Sequence, residues 1–333
     1  MANKTQFSGA RASLERWLKR LVQSTSMLLM LAVGTLVHAE TRTEVGVAGA
    51  HGVDAQATAS VAGDGEGGEG ATVDLSSPPL GNEALYDSTA IGGRGGNGGR
   101  GHTRADGGHG GPGGAASARS AINRDSGPAT ARASAIGGDG GHFGNGGTSG
   151  TGGPGGSATA SGVASTASAD AIVVEVTARG GRSGDTSTGI PVEGGTATIT
   201  EARAESNGGD VEVDATAISG RGGSGFPNSN GLFVGPGGRS PDVVLRNVVD
   251  GMTSGTIVLR QTAVSGDGGG GFSQPALGIS APDSGDTVSF VERMRSATSL
   301  SIEATAQSGA GGQGTYASTG GRGGNADAHA SAD

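Results

Sequence analysis

The sequence contains no cysteine, and its only lysines, Lys4 and Lys19, lie within the first 20 residues. Without cysteine no disulfide can staple the chain, and thiol catalysis and zinc–thiolate sites are excluded. Without lysine after residue 19 no G-x-x-x-x-G-K-[ST] phosphate loop can be completed, and no G-x-S-x-G nucleophile elbow is present. Aromatic residues make up 3 % of the chain, and the single tryptophan is Trp17. A core of large side chains is therefore excluded. The longest apolar run, residues 27–37, is shorter than the ~20 residues a membrane-spanning helix needs.

What is abundant is glycine, 71 of 333 residues, about three times the ~7 % of average proteins. It is organised in a phrase: Ala, one or two variable residues, then a glycine cluster. The phrase reads Ala90-Ile91-Gly92-Gly93-Arg94, Ala135-Ile136-Gly137-Gly138-Asp139, Ala217-Ile218-Ser219-Gly220-Arg221 and Ala263-Val264-Ser265-Gly266-Asp267, with looser copies from Ser60, Ala178 and Ala306. Successive starts differ by 30, 45, 43, 39, 46 and 43 residues. Such a period marks an array of stacked units and argues against an ordinary enzyme.

The first 39 residues read as an export signal. Arg11, Arg16, Lys19 and Arg20 form a basic region, residues 27–37 an apolar one, and Val37-His38-Ala39 a small-residue cleavage motif. The organisation expected is thus a signal peptide at 1–39, a lead-in at 40–56 and a glycine-rich β-repeat region at 57–333, about 40–45 residues per unit. Of the 22 Lys and Arg and 31 Asp and Glu, five bases and one acid lie in the signal, so the remainder carries 17 against 30, a formal charge of −13. That acidity offers no electrostatic footprint for nucleic acid or anionic lipid, and no stable membrane span is expected once the signal is removed.

Between glycine clusters the sequence alternates with period two, as in Ser157-Ala158-Thr159-Ala160-Ser161, which reads as strand. Residues 172–177, 211–217, 256–262 and 300–306 add Val, Ile and Leu and read as stronger strands. Turn residues break most segments, at 123–127, 206–210 and 250–255. One unit is strand, turn, strand and a glycine-rich connection, either a disordered flap or a packed polyglycine-type segment. The fold class expected is all-β, an elongated repeat array (β-solenoid or stacked hairpins) whose glycine-rich connections are partly disordered. The residue after the first glycines is Asp64, Arg94, Asp139, Arg182, Arg221, Asp267 and Ala310 in successive copies, which reads either as a solvated loop position or, if the units stack in register, as frequent acid–base neighbours.

No catalytic, cofactor-binding or metal residues are assigned, and no cofactor is expected. Gly93-Arg94-Gly95-Gly96-Asn97-Gly98 fits G-x-G-x-x-G by accident of composition, with no amphipathic helix after it. Calcium-binding nonapeptides need an aspartate at the last place of G-G-x-G-x-D, and the segments 93–97 and 138–141 lack it at that place. His102, His109 and His142, near Asp106 and Asp139, lack ligand spacing. Phe143, Phe226, Phe233 and Phe272 read as residues that pin loops, or as ligand contacts.

The strand phrase Ile257-Val258-Leu259-Arg260-Gln261-Thr262-Ala263 leading into glycine, and the Gly-Gly-x-Ala-x-Ala exits, resemble exported bacterial glycine-rich repeat proteins, surface adhesins and autotransporter passengers among them. The Gly-Gly-x triplets from Gly92 are similar to the glycine-rich domains of mycobacterial PE-PGRS proteins, whose N-terminal domain this sequence does not contain. The resemblance implies a secreted or cell-surface, non-catalytic structural or adhesive protein. The alternative is an extracellular binding module for glycan, ice or mineral, and a β-solenoid polysaccharide-active enzyme ranks third. Regular Thr-x-Thr runs would favour the binding module, and only Thr196-Ala197-Thr198-Ile199-Thr200 supplies one. Expected partners are a second copy or an extracellular surface ligand. With Asp333 inside a unit's strand, the protein is expected to be freely secreted, attached by a partner, or truncated.

Overall fold

Alternating small and apolar residues make each strand two-faced, and the inner phase is buried except in the strands at the two ends of the array. The computed structural model describes residues 39–56, 61–76, 83–102, 105–146, 150–187, 190–227, 235–273, 280–316 and 319–332. The expected signal thus lies outside the described residues except for Ala39. A seven-stranded sheet runs in the order β1 (Ala39–Val45), β3 (Leu85–Ile91), β5 (Ala129–Ile136), β7 (Ile172–Arg179), β9 (Val211–Ile218), β12 (Thr256–Val264) and β15 (Ser299–Gln307). Packed against it are a five-stranded sheet of β2 (Ala71–Leu75), β4 (Ala116–Arg124), β6 (Ala158–Thr166), β8 (Ala197–Ser206) and β11 (Val249–Met252), and a three-stranded sheet of β10 (Val243–Arg246), β14 (Thr287–Arg293) and β17 (Ala326–Ala332). β13 (Gly271–Ser273) and β16 (Gly314–Tyr316) form a small outlying pair. Among the described residues there are no helices, hence none long and apolar enough to cross a membrane.

Every strand pair is parallel and joins one unit to the next, as in Ala90↔Ala135, Ala135↔Ala178, Ala178↔Ala217 and Ala217↔Ala263. This corrects the expected fold class. The two strands flanking a turn, such as β4 and β5, belong to different sheets and do not pair, so the units are not hairpins. The expected partly disordered connections are corrected likewise where they are described: those residues form hydrogen-bonded limbs. Residues 40–56, expected as a lead-in, supply all of β1 but Ala39, and the first glycine limb.

The core lies between the layers. Val174, Val176, Val211, Val213, Ile257 and Leu259 face inward and are fully buried, each such side chain contributing about 1.5–3 kcal/mol. Opposing sizes are matched. A Cβ on Gly162 of β6 would sit 2.7 Å from Val176 Cγ2 and 3.0 Å from Val174 Cγ1. Where the second layer passes from one sheet to the next, Asn247 takes a left-handed φ of 53°. The buried Gln261 amide satisfies the backbone opened there, accepting from the Val248 amide at 3.1 Å and donating to Leu245 O at 3.1 Å. The expected turns at 123–127 and 206–210 coincide with positive φ at Gly127 (88°) and Gly208 (145°). At 250–255 the turn is shorter, because residues 250–252 belong to β11.

Each first-layer strand continues into an outgoing glycine limb, and each second-layer strand is preceded by a return limb. Donors recur every third residue: Gly46, Gly49 and Gly52 donate to Ile91, Arg94 and Asn97 carbonyls at 2.7–2.8 Å. Three residues per turn is the period of the polyproline II helix. The second glycine of each triplet bonds limb to limb, Gly96 to Glu66 O and Gly111 to Gly96 O. The reason for glycine here is space rather than φ: a Cβ on Gly96 or Gly111 would lie inside a neighbouring carbonyl. Only the third position points outward, and Pro112 and Pro154 occupy it, where a missing N–H costs no bond in the lattice.

Candidate functional site

In-register parallel pairing turns each outward strand position into a column of residues about 4.7–4.9 Å apart. On the outer face of the seven-stranded sheet one column reads Thr43, Thr89, Ser134, Thr177, Thr216, Thr262 and Thr305. All seven carry a hydroxyl, and none of these hydroxyls is hydrogen-bonded among the described residues. Inward hydroxyls behave differently: Ser120 Oγ donates to Arg132 O at 2.5 Å, and Ser265 Oγ to Gly285 O at 2.7 Å.

Two residues along each strand, about 6.6 Å away, runs an aliphatic column of Val45, Ile91, Ile136, Ile218 and Val264, interrupted by Arg179 and closed by Gln307. On the other side lies a charged column, Asp87, Arg132, Glu175, Asp214, Arg260 and Glu303. Arg132 Nε is 2.7 Å from Glu175 Oε2, and Arg260 bonds Glu212 and, at 3.2 Å, Asp214. Burial pushes the Asp214 carboxyl up against the opposing pull of Arg260, while Glu212 and then Asp214 hold the Arg260 guanidinium up. Such exposed pairs contribute about 0–1 kcal/mol each and chiefly disfavour register slips.

The glycine limbs carry a second regular device. Third-position amides along several limbs face outward with no backbone partner, and where the third-position side chain of the preceding unit is Asp, Asn, His or Ser it accepts them. His51 Nδ1 takes the Asn97 amide at 2.8 Å, Asn97 Oδ1 takes His142 at 2.9 Å, and His142 Nδ1 takes Asp185 at 3.2 Å. Asp185 Oδ1 then takes Ser224 at 2.8 Å, and Ser224 Oγ takes Gly270 at 3.3 Å. The return limbs repeat it, from Asp64 to the His109 amide and from His109 to Thr151. The expected acid–base neighbours take this form too. Asp139 accepts the Arg182 amide at 2.8 Å and makes no ion pair with its guanidinium.

His109 and His142 are therefore rungs of ladders. Among the described residues no three His, Asp or Glu side chains are grouped to hold a metal ion. Phe226 is exposed beside a shallow groove, Phe143 is half-buried, and Phe233 and the Phe272 side chain lie outside what is described. Sequence reasoning missed the threonine column because the repeat phrase was read from its alanine. One residue earlier the copies read Thr89-Ala90-Ile91, Ser134-Ala135-Ile136, Thr216-Ala217-Ile218 and Thr262-Ala263-Val264. Comparisons with family models, curated proteins and solved structures gave no match.

Proposed function

We propose that the protein is a non-catalytic structural or adhesive repeat protein, secreted or held at the cell surface, that works through its regular outer face. The observation that carries this reading is the column of seven unengaged hydroxyls, repeated once per unit across the whole sheet. One weak contact per unit becomes useful when many act together on an extended surface. The basic, apolar and Val-His-Ala segments of residues 1–39 support export, with cleavage after Ala39. Extracellular material should begin at Glu40 by mass spectrometry, and intact Met1 outside the cell would overturn the address.

Beads coated with the full chain should be retained on a surface that releases bare beads. The triple variant Thr89→Gln, Ser134→Gln, Thr177→Gln breaks the column with longer neutral side chains and should cut retention severalfold at an unchanged melting temperature. Equal retention of variant and parent would refute the role of this face.

The second reading, a binding module for glycan, ice or mineral, draws on the same column's even spacing. Ice-growth inhibition, or pull-down on chitin, cellulose or hydroxyapatite that the triple variant loses, would favour it over general adhesion.

A further inference from the structure

The outer face is not uniform along the array. Arg179 interrupts the aliphatic column, and Arg182 and Arg221 stand on successive outgoing limbs beside it. All three are exposed, and none of their guanidinium groups makes an ion pair or hydrogen bond among the described residues. This differs from Arg132, Arg260 and Arg295, which are paired with carboxylates. The three line a groove of about 500 Å³ between the last strand positions and the first limb positions. A second groove of about 360 Å³ shares Arg221 and adds Ser224, the exposed Phe226 ring and Gln313.

We infer that this pair of grooves is a binding site for an acidic, carboxylate-bearing polysaccharide. An unpaired guanidinium presents a planar fork of donors that matches a carboxylate. Arg182 and Arg221 are held one unit apart, about 4.7–4.9 Å along the array, which is on the order of one pyranose residue. Arg179 lies three residues before Arg182, about 9 Å along an extended limb. Phe226 supplies the apolar face on which a sugar ring packs, and Ser224 and Gln313 supply neutral hydrogen-bonding groups. A nucleic acid fits less well. Its phosphates come about every 3.4 Å along a strand, closer than the unit step of about 4.7–4.9 Å between Arg182 and Arg221, whereas a sugar acid brings one carboxylate per ring between hydroxyls. The site is independent of the threonine column, so the adhesive reading can fail without it.

Titration of the full chain with polygalacturonate oligomers, at low and at physiological salt, tests the site. Binding is expected, weaker at higher salt, and absent with neutral dextran. Arg182→Gln combined with Arg221→Gln should weaken it at least tenfold and Phe226→Ala severalfold. Arg132→Gln, on the paired column, and the threonine-column pair Thr89→Gln, Ser134→Gln, should leave it unchanged. Unaltered melting of the arginine variants separates lost binding from lost fold. Absence of binding at low salt, or equal affinity in the double arginine variant, would overturn the site. Tighter binding of dextran sulfate, polyglutamate or single-stranded DNA than of polygalacturonate would overturn the ligand class.

Discussion

Asp185 Oδ1 accepts the backbone amide of Ser224 at 2.8 Å, across 39 residues of sequence and a single step of the array. The amide is aimed outward by the threefold limb, and no backbone carbonyl reaches it. The acceptor here comes from a short side chain on the unit before, as it does along the track of His51, Asn97, His142, Asp185 and Ser224.

Asp185→Ala should therefore destabilise the protein by about 0.5–1.5 kcal/mol, the net value of one such bond. Asp185→Asn keeps an Oδ1 acceptor and should lose less than half of that. Urea midpoints of the three proteins measure it. An alanine variant as stable as the parent would show that water replaces the carboxylate at no cost.

Much of this architecture was legible in the sequence, in particular places. Period-two alternation located β7, β9, β12 and β15, and glycine with asparagine or aspartate located the turns at Gly127 and Gly208. Strands beside equivalent glycine phrases are neighbours, as the repeat phrase implied; what stayed open was whether the two strands of one unit also pair. Nothing local in residues 116–136 tells whether β4 and β5 pair with each other or with strands about 43 residues away, since both solutions bury the same alanines. The limbs stayed open between two readings for a related reason: a glycine tract reads equally as a flap or as a packed polyglycine-type segment until the carbonyls that need its missing Cβ are known. Gln261 escaped, because its partners at Leu245 and Val248 lie in the other layer.

The turn at Gly127 should be acid-sensitive. Asp170 accepts from Ser168 Oγ at 2.5 Å and from the Gly127 amide of the preceding unit at 2.8 Å. The Ser168 hydroxyl first, and then the Gly127 amide, hold its carboxyl below the usual aspartate range. A depressed folded-state pKa means stability that is present above the unfolded value, ~3.9, and lost as pH falls through the folded one. The stability gap between the parent and Asp170→Ala should thus be widest near neutrality and close in strong acid. Denaturation midpoints across that range would contradict this if the gap stayed constant or grew on acidification.

Packing between the layers predicts a coupled pair. Gly162→Ala places a methyl 2.7 Å from Val176 Cγ2 and should cost about 1–3 kcal/mol as overpacking. Val176→Ala opens a void at the same spot. The double variant should be more stable than the sum of the two losses implies, by about 0.5–3 kcal/mol. Strict additivity in a thermodynamic cycle would mean that the two layers do not share this space.

The sharpest test of the glycine lattice contrasts two positions on neighbouring limbs. Gly111 donates to Gly96 O at 2.8 Å and accepts from Gly141, and its missing Cβ leaves room for the carbonyl of Glu66. Because the obstacle is backbone, no rotamer change can relieve Gly111→Ala, and the limbs must separate. Loss of the bonds Gly111 to Gly96, Gly141 to Gly111 and Gly96 to Glu66 should cost about 1.5–4.5 kcal/mol, at about 0.5–1.5 kcal/mol each. Arg94 lies at an outward third position and is exposed, so Arg94→Ala should change stability by less than about 0.5 kcal/mol. Amide hydrogen exchange reads both. Gly111→Ala should strip protection from the amides at positions 96, 111 and 141 while β4 and β5 stay protected, and Arg94→Ala should leave every one of them as in the parent. Protection at Gly96 and Gly141 that survives Gly111→Ala would mean that a side chain fits between the limbs and that glycine is there for another reason.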